Sequence, residues 1–180
     1  MAALTVLFET HATTTDNEAG RATGWLPGEL SELGRRQAGE LGERIRDRAP
    51  DAVVGSDLAR VRQTVALGCA ALDVPVFYDW RLRECHYGLL GGAPKEQVHG
   101  PAIGRFLRNP YPGGESWLAA LDRVDRAVDD LRDLFPGGTV VMVGHIATRW
   151  ALRRRTESLT LEELATAPFR WQPGWKHVIP

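Results

Sequence analysis

Short runs rich in β-branched and apolar residues alternate with longer segments of helical period, and this alternation constrains the fold more than any other feature of the chain. The strand-like runs are Leu4–Phe8 (LTVLF), DAVVGS, VPVFYD and Gly138–His145 (GTVVMVGH), the last being the most strongly β. Between them, Ser31–Asp47 opens on an N-cap serine and carries Leu33, Ala38, Leu41 and Ile45 near helical spacing. DLARVRQTVALGCAAL, GESWLAALDRVDRAVDDLRDLF and IATRWALRRR also read as helices, and GWKHVI as a final edge strand. Strands alternating with helices predict an α/β three-layer sandwich, a mostly parallel central sheet with helices on both faces. At 180 residues the chain fits a single domain over 1–180. The stretch at about 88–112, rich in Gly and Pro and weakly periodic, reads as a short insertion over one end of the sheet.

Charge and cysteine content exclude several functions. The 22 Lys+Arg and 23 Asp+Glu leave a formal charge of -1, which gives no general attraction to nucleic acid or an acidic membrane. Any anion must be bound locally. Cys69 and Cys85 share no ligand spacing with each other or with histidine, which argues against a metal site and fits a reducing compartment. No run of about eighteen apolar residues occurs, and the first residues lack the pattern of a secretory leader. A cytoplasmic protein acting on a small molecule is expected.

In a parallel α/β sheet, ligands bind beyond the carboxyl ends of the strands. His11 follows the first strand and His145 the fourth, so both address one crevice; His99 and His177 have no such address. Ser56 and Asp57 end the second strand, and Arg60 lies about one turn into the next helix, able to reach back as part of an anion site. Glu84, in RLRECHYG, has apolar and aromatic neighbours that favour the protonated carboxyl needed by a general acid. A surface ion pair with Arg81 or Arg83 is the plainer alternative for Glu84. Arg60 has one too, a solvated helix face.

Taken in order, THATTTDN, GRATGWLPGELSELGRRQA, SDLARVRQT, RLRECHYG, PGGES and VMVGHIATR resemble the histidine phosphatase superfamily, also called the phosphoglycerate mutase-like family. The match runs from about residue 4 to 150. The resemblance implies that His11 is the phosphorylated nucleophile, His145 the second pocket histidine, Arg60 the pocket arginine, Asn17 the residue closing the first motif and Glu84 the proton donor. It also implies phosphomonoester chemistry without metal or cofactor, since arginine and histidine carry the positive charge.

The first motif departs from the family pattern. Thr10 stands where the family has arginine, Ala12 where it has glycine, and Thr13 where it has glutamate. A charge-assisted hydrogen bond contributes roughly 1.5–3 kcal/mol, so the loss at position 10 is consequential. Three readings are compatible with it: a phosphatase in which Arg21 or Arg149 replaces the missing charge, an enzyme reusing the scaffold for acid/base chemistry on a non-phosphorylated substrate, or a non-catalytic binding protein. The joint presence of His11, Arg60, Glu84 and His145 argues against the third, and the first is the preferred reading. The short 88–112 segment points to hydrolysis of a small phosphate monoester rather than mutase action. Trp25 and Trp117 follow family motifs and are candidate contacts for the leaving group, with ordinary packing as the alternative; Trp171 and Trp175 are expected in the core or an edge strand.

Overall fold

Thr139–Gly144, the run richest in valine, forms the central strand of a five-stranded sheet in the computed structural model, which describes residues 2–180. The chain runs β1 (Leu4–Thr10), α1 (Thr15–Glu18), α2 (Glu32–Ile45), β2 (Ala52–Gly55), α3 (Ala59–Gly68), β3 (Val76–Tyr78), α4 (Lys95–Val98), α5 (Trp117–Leu134), β4 (Thr139–Gly144), α6 (Ile146–Glu157), α7 (Leu161–Thr166) and β5 (Trp175–Ile179). The strand order is β3-β2-β4-β1-β5. Among the described residues β5 alone of the strands runs antiparallel to its neighbour; the other strand pairings are parallel. Among the described residues no helix is long and apolar enough to cross a membrane.

The period of two in the strands fills both sides of the sheet. Val140 and Met142 point into a large cluster with Leu121, Val124 and Val128 of α5 and Ala151 and Leu152 of α6. Val141 and Val143, on the other face, pack with Leu41 and Ile45 of α2 and Val61 and Val65 of α3. Burying each such aliphatic side chain contributes roughly 1.5–3 kcal/mol. Helices therefore cover both faces, as the alternation predicts. Ser31 and Ser116 cap α2 and α5, accepting from the backbone N–H groups of Gly34 and Ala119 at 3.2 Å.

Three regions differ from the sequence reading. The first strand does not end with the apolar run at Phe8: Glu9 and Thr10 still pair with Val143 and Gly144, and the His11 N–H donates to the Gly144 carbonyl at 2.9 Å. Main-chain pairing is indifferent to side-chain polarity. The 88–112 stretch holds three short helical pieces, Gly88–Leu90, Lys95–Val98 and Gly100–Phe106, and α7 forms where no helix was expected. Because β1, β2 and β4 are adjacent and parallel, the residues following them, His11, Ser56 and His145, emerge at one edge of the sheet.

Candidate active site

His11 and His145 face each other with ring centroids 5.1 Å apart, and Arg60 lies between them. The partners of each imidazole set its tautomer. His11 Nδ1 is 2.8 Å from the Ala12 carbonyl, which can only accept, so Nδ1 carries the proton and Nε2 keeps its lone pair. Arg60 Nε donates to that Nε2 at 3.3 Å. His145 is held the opposite way. Its Nδ1 accepts from Arg60 Nη2 at 3.4 Å, so Nε2–H donates to Ser56 Oγ at 2.7 Å. Burial, reinforced by the Arg60 guanidinium, holds the His11 pKa down at about 3 and that of His145 well below the ordinary range. Both rings are neutral at physiological pH.

Arg60 is the second residue of α3 and only 2% exposed. Its Nη2 also donates to the Gly24 carbonyl at 2.8 Å, a carbonyl presented by a residue whose φ of +59° favours glycine. Nη1 is buried and has no hydrogen-bond partner among the described residues. The loop bearing His11 is set against α2 at Gly34, where a Cβ would lie 1.9 Å from the Thr13 carbonyl oxygen. Thr64 links the same loop to α3, accepting from the Ala12 N–H at 3.0 Å and donating to the Arg60 carbonyl at 2.7 Å.

Glu84 lines the cavity and is in no ion pair with its neighbours. Arg83 makes a bidentate pair with Asp57, and Arg81 pairs with Asp79 and Asp130. The Glu84 carboxyl instead sits on the N-terminus of α6, where Oε1 accepts from Cys85 and Ala147 and Oε2 from Ile146. Those three N–H groups favour the anion, but burial outweighs them and raises the pKa. Sequence reasoning missed the group that places this loop. Arg123 of α5, almost fully buried, pairs bidentately with Glu115 and donates to the carbonyls of Arg81, Arg83 and Glu84 at 2.7–2.8 Å. Its helix reads as simply amphipathic, and nothing in the periodicity marks one arginine on the buried face.

A cavity of about 920 Å³ opens over these groups and is also lined by Thr10, Asn17, Arg21, Lys95 and Arg149. Asn17 spends its side-chain oxygen on the Thr14 N–H in a capping box. Arg21 donates to the Gly92 carbonyl at 3.0 Å. The Arg149 guanidinium lies over the rings of Phe169 and Trp175 at 5.4 and 4.9 Å, with its Nε buried and unpartnered among the described residues. Lys95, which carried no motif signal, donates to the Asn17 carbonyl at 3.2 Å and acts electrostatically on His11. His99 lines the same cavity despite having no strand-end address; burial, helped by Lys95, lowers its pKa to about 4.

Three tryptophans fall differently from expectation. Trp117 is a core residue, fully buried against Trp150 with its indole N–H on Tyr111, because α5 turns it into the large cluster. Trp25 is absent from the cavity wall; its indole N–H donates to the Glu84 carbonyl at 2.6 Å and Arg83 stacks on its ring. Trp171, expected in the core or an edge strand, is exposed and lines the cavity, whereas Trp175 lies in edge strand β5.

Known proteins match this architecture and its sequence. Residues 6–172 match the Histidine phosphatase superfamily (branch 1). The chain is 30% identical to a probable phosphoglycerate mutase GpmB from Salmonella typhi, over 96% of this chain and 90% of that protein. Among solved structures, Bacillus stearothermophilus YhfR superposes with a TM-score of 0.82 at 25% identity, covering 94% of this chain and 88% of that one. Mycobacterial glucosyl-3-phosphoglycerate phosphatase Rv2419c superposes with a TM-score of 0.72 at 30% identity, covering 91% and 83%. With nearly its whole length matched and the ordered motifs gathered on one crevice, the chain belongs to the histidine phosphatase superfamily, branch 1.

Proposed function

We propose that the protein is a phosphatase that hydrolyses a small phosphate monoester through a phosphohistidine at His11. Family membership supports a phosphatase- or mutase-type enzyme. The observation that carries the finer reading is the unpartnered, buried Nη1 of Arg60 beside the neutral, lone-pair-bearing Nε2 of His11. A cation with an unused donor and a nucleophile kept unprotonated are what transfer of a phosphoryl group requires.

In the first step the Nε2 lone pair attacks phosphorus and the bond to the leaving oxygen breaks. The proton of Glu84, favoured by its raised pKa, passes to that oxygen. Arg60 holds the equatorial oxygens, and the Nδ1–H bond to Ala12 stabilises the charge that develops on the His11 ring. Water, deprotonated by the Glu84 carboxylate, then attacks phosphorus, and the P–N bonding pair returns to Nε2. The positive charge comes from side chains, so the reading requires neither metal nor cofactor. Arg21, Lys95 and Arg149 are the cations at hand to offset Thr10, while Asn17 orders the wall. The segment at about 88–112, which contributes Lys95, His99 and Ile103 to the cavity, acts as a short cap on a single domain.

The test is phosphate release from 4-nitrophenyl phosphate with chelator present, together with trapping of an acid-labile phosphohistidine. Wild-type protein should turn over and His11→Ala should not. Turnover that survives His11→Ala removes the nucleophile from the mechanism. Phosphoryl transfer between hydroxyls of phosphoglycerate in place of phosphate release would make the enzyme a mutase.

A further inference from the structure

The cavity is far larger than a phosphoryl group needs, and its outer wall differs in chemistry from the His11 end. Phe169 and Trp171, 48% and 56% exposed, line it together with Leu33 and Ile146. Two large aromatic side chains left half in water on one wall of a pocket mark a surface that gains by being covered. Charged groups line the cavity as well, and two of them have defined neighbours. Glu9, on the strand leading to His11, pairs with Arg44 at 3.2 Å, and the Arg149 guanidinium lies over Phe169 and Trp175. That guanidinium gives the Phe169 ring a cationic neighbour. Thr10, which also lines the cavity, puts a small neutral side chain where the family pattern has arginine.

We propose that the leaving alcohol carries an aromatic group, seated against Phe169 and Trp171 while its phosphate occupies the His11–Arg60–His145 end. The inference rests on the phosphatase reading for the phosphate half, but the aromatic seat is a separate physical claim. A flat ring stacks on exposed aromatic side chains and displaces water from them. A polyhydroxylated alcohol would leave its own polar groups unpaired against those aromatic and aliphatic side chains.

The experiment compares naphthylethyl phosphate with primary glycerol phosphate, both esters of primary alcohols, so that the chemistry at phosphorus is matched. In parallel, binding of naphthylethanol, which has no phosphate, is followed by quenching of tryptophan fluorescence and by chemical-shift changes. The wild type should prefer the naphthyl ester in kcat/KM by roughly 10- to 100-fold, and Phe169→Ala with Trp171→Ala should bring the ratio close to unity. Naphthylethanol should bind the wild type and lose at least about tenfold in affinity in the double variant. Equal turnover of both esters, with no binding of naphthylethanol, overturns the aromatic seat and leaves the phosphatase reading standing. Binding of naphthylethanol without release of phosphate from either ester does the reverse. If Phe169→Ala with Trp171→Ala fails to fold, Phe169→Leu and Trp171→Leu give the same comparison, with a ratio unchanged from wild type counting against the seat.

Discussion

Arg60 and Arg123 are both almost completely buried, yet they are surrounded in opposite ways. Arg123 spends its donors on the Glu115 carboxylate and three backbone carbonyls. Arg60 has no carboxylate partner at hydrogen-bond distance among the described residues; it leans on a carbonyl and two neutral imidazoles and keeps Nη1 unused. A buried cation with every donor satisfied stabilises a fold. One left short of partners is a cost the fold carries, and it makes sense where a ligand supplies the missing acceptor.

Substitution should separate the two roles, and Arg123→Met should show the largest effect in free energy. Removing it strands Glu115 and the carbonyls of the Glu84 loop, so chemical denaturation should report a loss of about 3–5 kcal/mol. Arg60→Met is expected to lower kcat/KM for phosphate release by on the order of 10²–10³ while costing less unfolding free energy than Arg123→Met. A reversed pattern, with Arg60 carrying the stability, would break the contrast.

Smaller effects sharpen it. Glu84→Gln should lower kcat/KM for alkyl phosphates about 10²-fold and for 4-nitrophenyl phosphate much less, since that leaving group needs no proton, while breakdown of the phosphohistidine slows for both. Thr10→Arg should raise kcat/KM for a simple phosphate monoester by about tenfold, since it adds a second charge-assisted donor beside Arg60. The smallest expected effect is on stability against pH. His11 and His145 are depressed in the folded protein, His11 from the ordinary 6.5 to about 3, so the unfolded chain binds more protons in that interval. The His11 contribution is complete above about 6.5 and is lost as the pH falls toward 3, and that of His145 changes in the same direction. Glu84, raised by burial, acts with the opposite sign above the ordinary carboxyl range. Thermal denaturation should show the midpoint falling on acidification below pH 6.5, with a shallower slope in His11→Asn.

The main-chain address of the site was legible in the sequence, while the fate of individual side chains was less so. Strand ends place His11 and His145, and the ordered motifs place Arg60 and Glu84, because those positions follow from sheet topology. Trp117, Trp25 and Trp171 could not be sorted the same way. A tryptophan in a motif reads alike whether its helix turns it into the core, its indole supports a loop carbonyl, or its ring faces a cavity. Arg123 was invisible for a related reason: its helix has the apolar stripe of any covered helix, and only the tertiary meeting with residues 81–84 gives the arginine its partners. Lys95 and His99 lie in a stretch without periodicity, so no pattern linked them to the crevice.

The bond from His11 Nδ1 to the carbonyl of the very next residue has a consequence for how this pocket can be remodelled. The ring takes its proton arrangement from adjacent backbone, and no side chain across the cavity is needed to hold it. Position 10 can lose a cation, and position 13 an acid, without altering which nitrogen of His11 is bare. Redesign of the cavity walls for a new substrate can therefore proceed by ordinary side-chain exchange, provided the backbone between 11 and 12 stays where Gly34 and Thr64 hold it.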